Sequence, residues 1–263
     1  MVAPIQRNPK VFDAFASVPR EKFLGPGPWV IGAEFNKYVT PNRSPDWLYH
    51  NVLVSIDAGK SINNGSPSLW AYLFDQLDLK PNERVLQIGA GTGYYTAIIA
   101  TVIGRKGRVY AMEFEKDLAD RARASLKAWP QAKIFCGDAS GFDPGEVDVV
   151  VAFAGGTHPA PIWLERLAME GRLLMPIVMD NGRGFMLKAT RRHEGFEAQA
   201  VSPCGFVLAK GFRNKSEARS LKKVLSPLKG KLPELGGLHV GRLPESKKGE
   251  AFFAGRNFWL SKR

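Results

Sequence analysis

The sequence predicts a doubly wound α/β domain: a mostly parallel sheet with an antiparallel edge hairpin, an N-terminal helical and loop cap, and a basic C-terminal extension. Three observations predict it. From Arg84 onward, short apolar runs bounded by turns alternate with helix-like segments, the pattern of strand-helix-strand units. The first of these runs ends in a turn with glycine at alternate positions, Gly89, Gly91 and Gly93. The composition, 44% hydrophobic and 24% charged, is that of an ordinary globular protein. A chain of 263 residues holds one large α/β domain of about 200 residues with elaboration. The expected division is a cap over 1–80, the α/β domain over 81–213 and the extension over 214–263.

Val11, Phe12, Phe15 and Val18 lie at helical spacing before Pro19, so a short amphipathic helix opens the chain. Residues 25–47 are rich in Gly, Pro, Asn and aromatics, among them Trp29, Phe35, Tyr38 and Trp47, and read as an ordered loop wrapping a core. A strand is expected over 52–56, then a polar, glycine-containing stretch over 57–66. Pro67–Leu77 reads as a helix, with Ser66 as N-cap, Pro67 in the first turn and Leu69, Leu73 and Leu77 four apart. Strands over 85–88, 109–112, 134–136 and 147–153 alternate with helices over 94–103, 116–128 and 161–167, and a further strand covers 172–176. Two more strands, 185–190 and 206–210, joined by the charged segment 191–195, form the expected edge hairpin. A basic helix over 214–232 and short strands over 239–242 and 252–260 complete the chain.

The net charge is +12 and unevenly placed: after residue 213 there are twelve Lys or Arg against four Glu. Such an end attracts nucleic acid, anionic lipid or acidic protein surfaces, or simply solvates the molecule. The most apolar run, about ten residues at 94–103, is too short to span a bilayer. No secretory signal pattern opens the sequence, and a cytoplasmic address is expected. Cys136 and Cys204 stand far apart, without histidines at ligand spacing. They are expected as small core residues, with neither a disulfide framework nor a metal site.

The chemistry concentrates around the glycine turn. After the buried run ending in Ile88, the order Gly89, Ala90, Gly91, Thr92, Gly93 gives a backbone that bends freely and lets a ligand come close at the carboxyl end of a strand. Tyr94 stands where a dinucleotide fingerprint needs its third glycine, which tilts the reading from NAD toward S-adenosylmethionine. Glu113 ends the next strand about twenty residues on, placed to accept hydrogen bonds from both ribose hydroxyls. Asp138, with Ala139, follows the third strand, where a carboxylate can accept from the adenine amino group. The cofactor-binding set is therefore Gly89, Ala90, Gly91, Gly93, Glu113, Asp138 and Ala139, and the 81–213 domain is the S-adenosylmethionine-binding one.

Several motifs in order carry a resemblance. Val18-Pro19-Arg20-Glu21-Lys22-Phe23, Lys60-Ser61-Ile62 followed by Ser66-Pro67, the glycine turn, Gly137-Asp138-Ala139, residues 161–167 and Gly171-Arg172-Leu173-Leu174-Met175-Pro176 together resemble the protein-L-isoaspartate O-methyltransferase family. The resemblance implies a class I, Rossmann-like methyltransferase that uses S-adenosylmethionine and methylates a carboxyl group of a protein or peptide. This chain departs from the family near the acceptor: Asn63 stands where the family has its substrate-side Ser, two extra residues precede Pro67, and Gln87 replaces the usual Glu.

A carboxylate acceptor needs alignment and exclusion of water rather than a general base. Ser61, Asn63 and Ser66, with Asn64, are the donors expected to hold it. For an amine or hydroxyl acceptor a base would be useful, and His50, Asp57 and His158 are candidates. The expected partner is a protein, peptide or small carboxylate substrate, for a monomer or homodimer. A methyltransferase for a small molecule or modified peptide with a rebuilt acceptor pocket is the first alternative. An RNA methyltransferase using the basic tail is a second and less favoured one.

Overall fold

Asn8 accepts the Lys10 N–H at 3.2 Å and Pro9 opens helix α1, Pro9–Ser17, so the chain's first order is capped locally. The protein is described by a computed structural model over residues 7–33 and 36–263. It forms two units, one from Met1–Glu83 with Ala90–Gly137, the other from Arg84–Gly89 with Asp138–Arg263.

The first unit holds α1, α2 (Pro67–Leu77), α3 (Tyr94–Ile103) and α4 (Lys116–Ser125). Its strands are β1 (Val30–Ala33), β2 (Asn36–Val39), β3 (Ser55–Asp57), β4 (Ile62–Asn63), β6 (Arg108–Glu113) and β7 (Ala132–Cys136). Helix α2 occupies the expected residues: the Ser66 hydroxyl caps the Leu69 N–H and Asp78 ends the helix at φ 51°. Helix α3 is buried on almost every side, as expected of a helix inside a core. Trp70 of α2 packs on Tyr95 of α3 with ring centroids 5.6 Å apart. β6 and β7 are parallel, in register from Val109 opposite Ala132 to Glu113 opposite Cys136.

The expected wrapping loop at 25–47 contains an antiparallel hairpin, β1–β2. Trp29 and Ile31 are buried there with Leu24, Leu48 and Val54, whereas Tyr38 is exposed; Phe35 lies outside the described residues. The periodicity concealed the hairpin because β2 is exposed along its whole length and so carries no apolar alternation. Phe12, expected on the buried face of α1, is exposed, since that face is the narrow stripe of Val11, Ala14 and Val18. The strand expected over 52–56 begins only at Ser55 and pairs with β4.

The second unit is a sheet in the order β13-β14-β12-β11-β10-β9-β8-β5. The strands are β5 (Arg84–Ile88), β8 (Val147–Ala152), β9 (Leu167–Val178), β10 (Arg183–Arg192), β11 (Gly195–Gly205), β12 (Leu235–Val240), β13 (Ala251–Ala254) and β14 (Phe258–Lys262). β5, β8 and β9 run parallel, and the remaining neighbours are antiparallel. Helices α5 (Pro161–Arg166) and α6 (Lys215–Leu225) complete it. Parallel strands alternating with helices, and antiparallel strands toward the edge, are the expected α/β class.

Several particulars differ. The partner of β10 is 195–205, not 206–210. The segment after Gly205 bonds to the loop after β8 instead, with Gly155 N–H donating to Val207 O at 2.8 Å and Ala209 N–H to Gly155 O at 2.9 Å. That hairpin does not end the sheet, because the C-terminal extension adds β12, β14 and β13 beyond it. The single strand expected over 252–260 is two, parted by a turn in which Gly255 N–H donates to Phe258 O at 2.9 Å. The basic helix ends at Leu225, two residues before Pro227. Cys136 is exposed and Cys204 half-buried, so Cys136 is not a core residue. No helix among the described residues is long and apolar enough to cross a membrane.

Candidate active site

Within the first unit, the glycine turn and the end of β6 form one hydrogen-bonded corner. Ala90 N–H donates to Met112 O at 3.0 Å. Gly91 N–H donates to Glu113 Oε2 at 2.7 Å, and Glu115 N–H to Glu113 Oε1 at 3.0 Å. The carboxylate is thus fixed by backbone donors, those of Gly91 and Glu115 among them. Burial pushes the Glu113 carboxyl above the ordinary glutamate value, against those N–H groups, which pull it down.

Gly93, at φ 95°, is the N-cap of α3, and a Cβ there would sit 3.0 Å from Leu126. A side chain is therefore disfavoured by the backbone conformation, and Leu126 would have to give way to it. A Cβ on Gly91, at φ 57°, would lie 3.3 Å from Ile56 Cδ1, so the hairpin β3–β4 reaches this turn. Two ties hold that hairpin: Arg121 Nη1 donates to Ile56 O at 2.9 Å, and Lys60 Nζ bonds Glu115 at 2.6 Å.

The three expected acceptor-side residues lie on and just after this hairpin. Ser61 is exposed at φ 53°, and its hydroxyl makes no hydrogen bond among the described residues. Asn63 accepts the Gly65 N–H through Oδ1 at 2.8 Å, leaving its amide N–H groups uncommitted among those residues. The Ser66 hydroxyl donates to Asn51 Oδ1 at 2.8 Å while it caps α2. Of the base candidates in this unit, Asp57 accepts the Lys60 N–H and pairs with its ammonium, and His50 is exposed.

Beneath the hairpin lies Arg20, which the motif contains but to which the sequence reading gave no role. It is almost wholly buried. Its guanidinium donates to Asn64 Oδ1 at 3.1 Å and to the carbonyls of Leu48, Val52 and Gly65 at 2.8, 2.9 and 3.2 Å, and it lies 5.8 Å from the Tyr94 ring centre. No carboxylate pairs with it among the described residues. Burial pulls its pKa down from the usual arginine value, yet an arginine keeps its charge in proteins. The cation is thus satisfied by neutral oxygens alone.

The second unit holds the other expected cofactor residues. Gly89, at φ 85°, follows β5, and its missing Cβ would lie 3.3 Å from Phe153. Asp138 Oδ1 accepts the Ser140 N–H at 2.8 Å, and Ala139 O accepts Trp163 Nε1–H at 2.9 Å. Gly211, at φ 101°, leaves no room for a side chain beside the Asp138 carboxylate. Gln87 on β5 is fully buried, with neither amide atom hydrogen-bonded; in the first unit the Thr92 hydroxyl of the glycine turn is also buried and unbonded. Buried polar atoms of this kind are costly without partners.

The sequence pattern of the protein-L-isoaspartate(D-aspartate) O-methyltransferase family matches residues 3–213. The chain belongs to this family. Among relatives, protein-L-isoaspartate O-methyltransferase 1 of Rhodopseudomonas palustris is 34% identical over 189 residues, 70% of this chain and 69% of that one. The protein-L-isoaspartate O-methyltransferase of Ignicoccus hospitalis is 27% identical over 205 residues, 76% of this chain and 89% of that one. A solved protein-L-isoaspartate O-methyltransferase superposes with a TM-score of 0.66 at 21% identity, over 88% of this chain and 69% of that chain. A Plasmodium falciparum protein described as such an enzyme in complex with S-adenosyl-L-homocysteine gives 0.60 at 21% identity, over 78% and 92%. At that identity the two structures show the fold alone.

The family's methyl donor is S-adenosylmethionine, and the residues present fit it. In the first unit, a glycine-rich turn, the fixed Glu113 carboxylate and the unbonded Thr92 hydroxyl suit a nucleoside with an amino-acid tail. Beyond the family match, α6 contributes Glu217 to a contact with His158, which no local pattern announced.

Proposed function

We propose that this methyltransferase transfers the methyl group of S-adenosylmethionine to a carboxylate of a protein or peptide, of the isoaspartyl type. The observation that carries this reading is Arg20. A buried guanidinium bonded only to neutral oxygens, beneath the loop that carries Ser61 and Asn63, places uncompensated positive charge on the acceptor side. Such charge favours an anionic acceptor over an amine.

When bound, S-adenosylmethionine supplies an electrophilic methyl on a positively charged sulfur. Glu113 would hold the ribose hydroxyls. Gly89, Ala90, Gly91 and Gly93 give the backbone room, while Asp138 and Ala139 border the base. Ser61 and Asn63, whose donors are uncommitted, orient the carboxylate, and Ser66 fixes the start of α2 that frames them. Residues 1–80 act as the acceptor-side cap, 81–213 as the cofactor domain and 214–263 as its extension. A carboxylate attacks without losing a proton, so none of these residues needs to act as a base.

The test is a labelled methyl donor with a matched peptide pair, isoaspartyl and aspartyl. Label should enter the isoaspartyl peptide alone and be released by mild base, as an ester is. Base-stable label, or equal labelling of both peptides, overturns the reading.

A further inference from the structure

The loop that follows β8 belongs to the same end of the second unit's sheet as Gly89. Phe153 N–H donates to Ile88 O at 2.8 Å, and ligands of α/β sheets lie outside the carboxyl ends of such strands. The loop's path is rigid. Gly156 N–H donates to Pro176 O at 3.0 Å and Thr157 N–H to Phe212 O at 3.1 Å; a Cβ on Gly155 would lie 2.5 Å from Val178. His158, next along, is therefore presented by a fixed backbone.

Its imidazole is held by a residue from outside the family match. Glu217 of α6 is nearly buried, and its Oε2 lies 2.6 Å from His158 Nδ1 and 2.6 Å from the Thr157 hydroxyl. Its Oε1 accepts the Arg256 N–H at 2.9 Å. Burial pushes the Glu217 carboxyl up, but the bonds from His158, Thr157 and Arg256 prevail and hold it down at about 2. Glu217 is thus a carboxylate and can only accept, so Nδ1 is the donor. Among the described residues no hydrogen bond reaches Nε2, on a side chain 27% exposed, and Glu217 is the one charged group in ion-pair contact with the ring. A tail needs only a structural tie to close; here it instead orients an imidazole whose second nitrogen is left open.

We propose that His158 binds the methyl acceptor and that Glu217 positions it: the ring, held through Nδ1, turns Nε2 toward the carboxylate that is methylated and donates to it when both ring nitrogens carry protons. The proposal rests on the carboxyl-methylation reading above. In the transfer the methyl–sulfur bond breaks and a carbon–oxygen bond forms. The sulfonium becomes a neutral thioether, the carboxylate a neutral ester, and no proton is exchanged. The contact is strongest before the acceptor loses its charge. It contributes to acceptor binding and weakens once the ester has formed, which assists release.

The experiment combines kinetics with an isoaspartyl peptide and ¹⁵N spectra of the histidine ring. His158→Gln should raise the KM for peptide about tenfold, the scale of one charge-assisted hydrogen bond, with kcat within about twofold and cofactor affinity unchanged. Glu217→Gln, which keeps shape but loses charge, should raise KM in the same direction by a smaller factor. In the wild-type complex with S-adenosylhomocysteine, adding the peptide should shift the Nε2 resonance of His158. An unchanged KM in both variants together with a lowered melting temperature would reduce the pair to a tie for the tail and overturn the proposal, as would an unmoved Nε2 resonance. If the wild type leaves the peptide unlabelled, the carboxyl-methylation reading falls and this proposal with it; a labelled peptide with unchanged KM in both variants or an unmoved Nε2 resonance overturns this proposal alone.

Discussion

The glycine turn and the β3–β4 hairpin meet at Gly91 and Ile56, yet they are built by opposite means. The turn is made of backbone: Gly93 starts a helix from a left-handed conformation against Leu126, and Gly91 and Ala90 bond to the end of β6 through their N–H groups. The hairpin is held largely by side chains from elsewhere, by Lys60 on Glu115, Arg121 on Ile56 O and Arg20 on the Asn64 amide and the Gly65 carbonyl. Backbone geometry demands particular residues at fixed spacing. Side-chain bracing can be rebuilt from many directions, so the hairpin can change while the glycine turn stays recognisable.

The sharpest way to break this contrast is Arg20→Met, which removes every donor to four oxygens and leaves buried carbonyls unbonded. A loss of about 3–5 kcal/mol of stability is expected in denaturant unfolding. If stability stays within about 1 kcal/mol, the hairpin is not held from beneath. On the turn side, Gly93→Ala imposes left-handed strain and a contact with Leu126, and should cost roughly 2–3 kcal/mol by the same measurement. A neutral result there would show that neither backbone conformation nor space requires glycine at this position.

Glu113→Ala should leave the fold intact and weaken S-adenosylmethionine binding by about 1.5–3 kcal/mol, read by calorimetry. Its pH dependence follows from the raised carboxyl. The folded-state value lies above the unfolded one, so Glu113's contribution to stability is fully present below the ordinary glutamate range and is lost as pH rises through the raised value. Cofactor binding needs the carboxylate and runs the other way, falling on acidification through that same window. In Glu113→Gln this pH dependence of affinity should vanish.

What the sequence made legible follows the same divide. Helix α2 was readable to the residue because Ser66, Pro67 and the leucine spacing act within one or two turns. The glycine turn and Glu113 were readable because their spacing is itself the signal. Strand β11 was missed because Glu197, Gln199, Ser202 and Pro203 look like loop, although pairing with β10 on one side and β12 on the other makes a strand of it. Arg20 and Glu217 were out of reach for a different reason. Their partners stand 44 and 59 residues away, and an isolated charge in a sequence does not show whether it will be buried or whose oxygen it will meet.

The central claim is that turn and hairpin divide the work, one holding the cofactor and the other the acceptor, and Asn63→Ala combined with Ser61→Ala tests it most directly. Cofactor affinity by calorimetry and single-turnover transfer to an isoaspartyl peptide are measured on the same preparation. The account predicts a dissociation constant for S-adenosylmethionine within about twofold of wild type, a difference of ~0.4 kcal/mol, and transfer slowed at least about tenfold. Transfer at the wild-type rate, or a loss of cofactor affinity that matches the loss of rate, would contradict it.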